Sequence, residues 1–117
     1  MRDTVLVVDD HADFRAAVRG LLEAGGFDVV GEAGTGAEGI RAARRLRPHV
    51  VLLDVRLPDL DGFTVAGRLA EFPEPPAVVL ISSRDARAYG SRLRRAAARG
   101  FLAKSDLTAP ALRDLVG

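Results

Sequence analysis

The 117-residue sequence predicts a doubly wound α/β domain: a five-stranded parallel sheet of order 2-1-3-4-5, with five helices on its two faces. Three observations predict it. Short apolar runs alternate five times with segments of helical character. The strongest runs are unbroken rather than alternating, as strands covered on both faces require. Four of the runs end in a polar or charged residue, at the sheet rim where ligands of open α/β sheets bind.

Taken in order, Thr4–Val8 reads as a buried strand ending at Asp9-Asp10. Residues 12–24 read as a helix, with Phe14, Ala17, Val18, Leu21 and Leu22 on one apolar stripe. Gly25-Gly26 stops it. Residues 27–32 form a weaker strand, strongly apolar only at Val29 and Val30, and therefore expected at an edge. A Gly-Thr-Gly turn leads to a helix over 37–47, with Ile40, Ala43 and Leu46 inward, ended by Pro48.

Val50-Val51-Leu52-Leu53-Asp54 is the central strand, four apolar residues running into one carboxylate. A loop punctuated by Pro58 and Gly62 follows, with Asp59 and Asp61 expected as turn residues. A short helix occupies 62–71, and Pro73-Glu74-Pro75-Pro76 is a rigid connector. Residues 77–81 form the fourth strand, ending at Ser82-Ser83. The fourth helix falls within 86–98, its start weakened by Gly90. Residues 100–103 are a short fifth strand ending at Lys104, and 107–116 form the last helix, with Leu112, Leu115 and Val116 inward.

The composition, 48% hydrophobic and 28% charged, is that of a globular chain, and the length suits one domain over 1–117. With no cysteine, neither disulfides nor a thiolate metal site can form. The run Val5–Val8 is too short for a signal peptide and ends in two aspartates; no segment approaches a membrane span, so a cytoplasmic location is expected. Net charge +1 offers no global argument for nucleic-acid contact. Lys104 is the sole lysine among 17 basic residues, which suggests that a compact ammonium is wanted there.

The predicted order makes the first and third strands neighbours, which brings Asp9, Asp10 and Asp54 together. Carboxylates that close repel unless cations offset them. Mg²⁺, a hard ion that takes one or two carboxylates and keeps waters, is the natural partner, with Lys104 as a second positive charge. A carboxylate ringed by Mg²⁺, an ammonium and the Ser82 hydroxyl suits phosphoryl transfer to Asp54. The bland alternative is that Asp9-Asp10 merely cap the first helix. His11 and His49 read as loop residues without a metal role. Arg84, Arg87, Arg92, Arg94, Arg95 and Arg99 crowd the fourth helix, as a solvated face or as a surface for an acidic partner.

These residues resemble the receiver domains of two-component response regulators, the CheY-like superfamily of flavodoxin-like fold. The resemblance rests on Asp9-Asp10, Asp54 with Pro58 and Gly62 at their offsets, Ser82, and Lys104 at the end of Gly100-Phe101-Leu102-Ala103-Lys104. It implies that Asp54 accepts a phosphoryl group from a histidine kinase. It further implies that Asp10, Asp54 and the backbone carbonyl of Arg56 bind Mg²⁺, with Asp9 acting through a water. Ser82 and Lys104 would contact the phosphoryl group, and Phe101 would be a switch aromatic signalling through the fourth helix, fifth strand and fifth helix. The stretch Asp9-Asp10-His11-Ala12-Asp13-Phe14-Arg15 and the run Ser82-Ser83-Arg84-Asp85 are similar to the subfamily that precedes a LuxR-type helix-turn-helix domain. A DNA-binding output domain outside these residues, and homodimerisation on phosphorylation, are the expectations that follow. Ser105 stands where most members have Pro, often after a cis bond, so the geometry of the Lys104–Ser105 peptide stays open.

Two other classes compete. Haloacid-dehalogenase-type phosphatases also use a strand-end Asp with Mg²⁺, but they usually carry a second Asp two residues on, where this chain has Arg56. A receiver that never uses its phosphate, serving only as a protein-interaction module, is the other.

Overall fold

The strands form where the β-branched and leucine runs lie: β1 (Thr4–Val8), β2 (Asp28–Ala33), β3 (Val50–Asp54), β4 (Ala77–Ser82) and β5 (Gly100–Ala103). The computed structural model describes residues 3–117, and in it these strands make one parallel sheet of order β2-β1-β3-β4-β5. This is the predicted order, with the weaker β2 at an edge. Among the described residues five α-helices accompany them, the first four between strands and the fifth after β5: α1 (Ala12–Ala24), α2 (Gly36–Leu46), α3 (Gly62–Ala70), α4 (Ser91–Arg95) and α5 (Ala109–Val116). None of them is long and apolar enough to cross a membrane.

Unbroken apolar strands feed two cores at once, because successive side chains point to opposite faces. Val5, Val7, Val50, Leu52, Val79 and Ile81 pack with Val18 and Leu22 of α1 and Leu112 of α5. Leu6, Val8, Val51, Leu53, Val78 and Leu80 pack with Ala42 and Ala43 of α2 and Val65, Ala66 and Leu69 of α3. α2 lies close to the sheet because small residues face it; a Cβ on Gly39 would stand 2.9 Å from Val8 Cγ1.

The structure narrows some expectations. On α1 only Val18 and Leu22 are buried; Ala17 is exposed and Leu21 is 40% exposed, because no element packs over that flank. On α2 the small residues Gly36, Gly39, Ala42 and Ala43 are the buried ones, while Ile40 and Leu46 are only partly covered. The largest departure is the fourth helix. Instead of one helix within 86–98, the chain makes a 3-10 turn at Ala86–Ala88, turns at Gly90 (φ 53°), and forms only the five residues of α4. No residue of either piece is fully buried, so tertiary packing does little to prolong the helix. β5 is then set by the Arg99 amide, which donates to the Val78 carbonyl at 2.7 Å.

Candidate functional site

Register builds the site. Val8 pairs with Leu53, so the next residues, Asp9 and Asp54, emerge side by side. Asp54 pairs with Ile81, and Ser82 with Ala103, so β4 ends in a hydroxyl and β5 leads into Lys104. Two strand spacings, roughly 10 Å, separate β3 from β5. Only a long side chain from β5 can cross that gap.

Lys104 crosses it. Its Nζ lies 2.7 Å from Asp9 Oδ2 and 3.0 Å from Asp54 Oδ2. Alternation puts Asp9, Asp54 and Lys104 on the α1/α5 side of the sheet, and Phe14 of α1 places its ring 4.3 Å beneath the ammonium. Asp9 is fully buried, and its backbone is tied to the Ala33 carbonyl and to Arg15 Nη1. Its Oδ1 accepts the His11 amide at 2.8 Å, while its Oδ2 has no aligned hydrogen-bond donor, so the contact with Lys104 is charge on charge.

The same burial acts differently on the three groups. Burial pushes Asp9 up, but the Lys104 ammonium and the His11 amide, with help from Asp54, hold it below the ordinary value. Burial, reinforced by the Asp9 carboxylate, keeps Asp54 above it despite the Arg56 amide and Lys104. Burial opposes the charged form of Lys104, but its contacts with Asp9 and Asp54 prevail and raise it. A buried carboxylate short of positive charge is what these three describe.

Asp10 stands at the open side. Ligand atoms of Asp9, Asp10, His11 and Asp54 all lie within 4.8 Å of one another. His11, read from sequence as a bystander, has Nδ1 3.0 Å from Asp10 Oδ1 and 3.2 Å from Asp9 Oδ1. The α1 N-terminus receives no side-chain cap, so capping does not account for the Asp9-Asp10 pair.

The loop after β3 is folded back on the acceptor. The Arg56 amide donates to Asp54 Oδ1 at 3.0 Å, and Arg56 bridges to Asp61. Gly62 is required by contact: a Cβ there would stand 2.5 Å from the Asp54 carbonyl oxygen. Asp59 and Asp61 do more than turn the chain. Asp59 accepts from the Gly36 and Ala37 amides at 2.7 and 2.9 Å, capping α2 from a distant loop, and these bonds hold its carboxyl below the ordinary range. Asp61 caps α3 through the Thr64 amide. All described peptide bonds are trans, Lys104–Ser105 included.

Ser82 belongs to the other face of the sheet. It is 1% exposed, and its Oγ meets the Tyr89 hydroxyl at 2.5 Å and accepts the Arg84 amide at 3.0 Å. Phe101, partly buried, lies against the same tyrosine, with ring centroids 5.9 Å apart. Tyr89 was not singled out from sequence; being the only tyrosine was the one signal available. A separate concavity of about 930 Å³, lined by Arg44, Arg47, His49 and Phe72, lies at the opposite end of the strands and contains none of these groups.

Residues 5–116 match the family model described as the response regulator receiver domain. The chain is 37% identical over 106 residues to the virulence factors positive transcription regulator BvgA of Bordetella pertussis, covering 91% of this chain and 51% of that protein. It is 41% identical over 103 residues to the transcriptional regulatory protein NarL of Mycobacterium tuberculosis, covering 87% of this chain and 48% of that one. The chain thus spans about half the length of these curated relatives. The solved signal receiver domain of the Mycobacterium tuberculosis response regulator NarL superposes with a TM-score of 0.86 at 38% identity, covering 98% of this chain and 96% of that one.

Proposed function

Because the chain belongs to the response regulator receiver domain family of two-component systems, we propose that it switches by accepting a phosphoryl group on Asp54 from a histidine kinase. The observation that carries the assignment to Asp54 is Lys104 Nζ set between the buried carboxylates of Asp9 and Asp54. An Asp54 oxygen attacks phosphorus, forming a P–O bond as the P–N bond of the kinase phosphohistidine breaks and the imidazole leaves. The transfer is chiefly a matter of positioning and charge neutralisation. β3 and Gly62 fix the acceptor, the Arg56 amide holds Oδ1, and Lys104 stands ready to pair with the incoming phosphoryl oxygens.

Receiver domains generally bind Mg²⁺ at an acidic cluster, and the residues here fit one: the carboxylates of Asp9, Asp10 and Asp54 lie within 4.8 Å of one another beside His11, with Asp9 Oδ2 buried and lacking an aligned donor. Asp10, Asp54 and the Arg56 carbonyl would hold it, with Asp9 supporting them. Bound there, Mg²⁺ would neutralise charge on the transferring phosphoryl group. Ser82 and Lys104 would then contact the phosphoryl group, and Phe101 would register the change on the α4–β5–α5 side.

Residues 1–117 form one receiver domain in this reading, acting in the cytoplasm. It has no direct nucleic-acid contact, passes its signal to a DNA-binding output domain, and pairs with a second copy when phosphorylated. The transcription regulators BvgA and NarL support the output assignment. A hydrolase reading lacks its general acid, since Arg56 occupies that position. Incubation with acetyl phosphate and Mg²⁺ is expected to give one phosphoryl adduct by intact mass, absent in Asp54→Asn and absent with EDTA. An adduct retained in Asp54→Asn would overturn the assignment.

A further inference from the structure

Ser82 and Asp54 both end their strands, yet they are engaged on opposite faces. Strand alternation places Ser82 with Val78 and Leu80, on the side of α3, whereas Asp54 follows Val50 and Leu52 toward α1 and α5. There the Ser82 hydroxyl is committed. Tyr89 OH sits 2.5 Å from Oγ, and the Arg84 amide donates to the same oxygen at 3.0 Å. A serine hydroxyl has one proton and two lone pairs, and these two partners take two of the three. Any move of Oγ toward Asp54 is a χ1 rotation that breaks the tyrosine contact.

Besides Ser82, Tyr89 is held by two aromatic neighbours from two further elements. Its ring packs edge-on to Phe63 of α3, centroids 5.8 Å apart, and against Phe101 of β5 at 5.9 Å. Arg92 of α4 lies 4.4 Å over the Phe63 ring and 3.6 Å from Asp61. The tyrosine follows the 3-10 turn and precedes Gly90, within the stretch that buries least. Phe101 has no hydroxyl and cannot hold Ser82; Tyr89 supplies that group from a different element.

We propose that Tyr89 is a positioning residue whose hydroxyl holds Ser82 Oγ away from the phosphoryl position. Phosphate on Asp54 and Tyr89 then compete for one serine hydroxyl. When phosphate wins, Tyr89 loses its anchor on β4 and the 84–99 segment is released to rearrange around Phe63 and Phe101. This rests on the reading that Asp54 is the acceptor and Ser82 the phosphoryl ligand.

The test uses beryllofluoride with Mg²⁺ as a phosphoryl mimic on the full chain, with affinity read by calorimetry. Tyr89→Phe keeps the ring packing and removes only the hydroxyl. It is expected to bind beryllofluoride about five-fold more tightly than wild type, the range a neutral hydrogen bond supports. In a Ser82→Ala background the same substitution is expected to change nothing. With one tyrosine and no tryptophan, the wild-type protein also reports directly: beryllofluoride should alter the Tyr89 emission, and Ser82→Ala alone should alter it in the unliganded protein. Equal or weaker binding by Tyr89→Phe, or an effect that persists without Ser82, would overturn the role of Tyr89 while leaving the acceptor reading intact. No beryllofluoride binding by wild type would overturn both.

Discussion

Lys104 carries three constraints on a single nitrogen: Asp9 Oδ2 at 2.7 Å, Asp54 Oδ2 at 3.0 Å, and the Phe14 ring at 4.3 Å. A compact ammonium meets them together; a guanidinium spreads its donors over a plane and cannot. In an arginine-rich chain this explains why a lysine stands here. Lys104→Arg and Lys104→Met are both expected to take up phosphoryl from acetyl phosphate on the order of a hundredfold more slowly, the usual cost of removing a preorganised electrostatic partner. A time course by intact mass decides it, and a wild-type rate in Lys104→Arg would show that charge alone suffices. Asp59 teaches a different lesson at this scale. Its turn character was readable from Pro58-Asp59, but its bonds to the Gly36 and Ala37 amides cross 22 and more positions of chain and had no local signal.

Among the elements, β3 was legible throughout, because a run of β-branched and leucine residues has only one comfortable environment. The segment from Ala86 to Ala98 was not. Its alanines, arginines and leucine favour helix by propensity, yet Ala96 is extended (ψ 143°) and the helix stops at Arg95. Propensity is outweighed because the segment has little apolar surface to bury, and Gly90 adopts a backbone geometry that favours glycine. The start of α3 shows the opposite case, in which one contact dictates the residue. Gly62→Ala would drive a Cβ into the Asp54 carbonyl and within 2.8 Å of Val55 Cα. The expected cost is about 1–3 kcal/mol, read as a lower urea midpoint, together with slower phosphorylation because the acceptor's backbone must shift. Unchanged stability would mean that the loop from Arg56 to Asp61 yields freely.

For the molecule as a whole, the helices are tied to the sheet by polar links as well as by the two cores. Glu32 on edge strand β2 pairs with Arg15 at 3.1 Å and Arg19 at 2.9 Å, joining β2 to α1. Hydrogen bonding from Arg19, stronger than the opposing effect of burial and aided by Arg15, holds the Glu32 carboxyl below its ordinary value. The folded state therefore keeps this proton off more readily than the unfolded chain does. The resulting stability is fully present above the unfolded value near 4.5 and is lost as pH falls through the lower folded value. Wild type should exceed Glu32→Gln by less than about 1 kcal/mol at neutral pH, with the gap closing in acid. Urea midpoints across pH test this; a gap that widened on acidification would reverse the sign of the argument.

By itself the sequence determined the element order, the parallel sheet and the residues at its rim. Unbroken apolar runs, helical spacing and polar strand ends are local properties, and the register of parallel strands carries those ends to one edge. Tertiary structure alone decided how the rim residues meet, on which face, and which further residues join them. Lys104 reaches past β4 to Asp9 and Asp54, His11 joins the acidic cluster, Asp59 caps a distant helix, and Tyr89 takes hold of Ser82. Each of these is set by side-chain reach and by strand alternation between elements far apart in the chain, and neither quantity exists until the elements have packed.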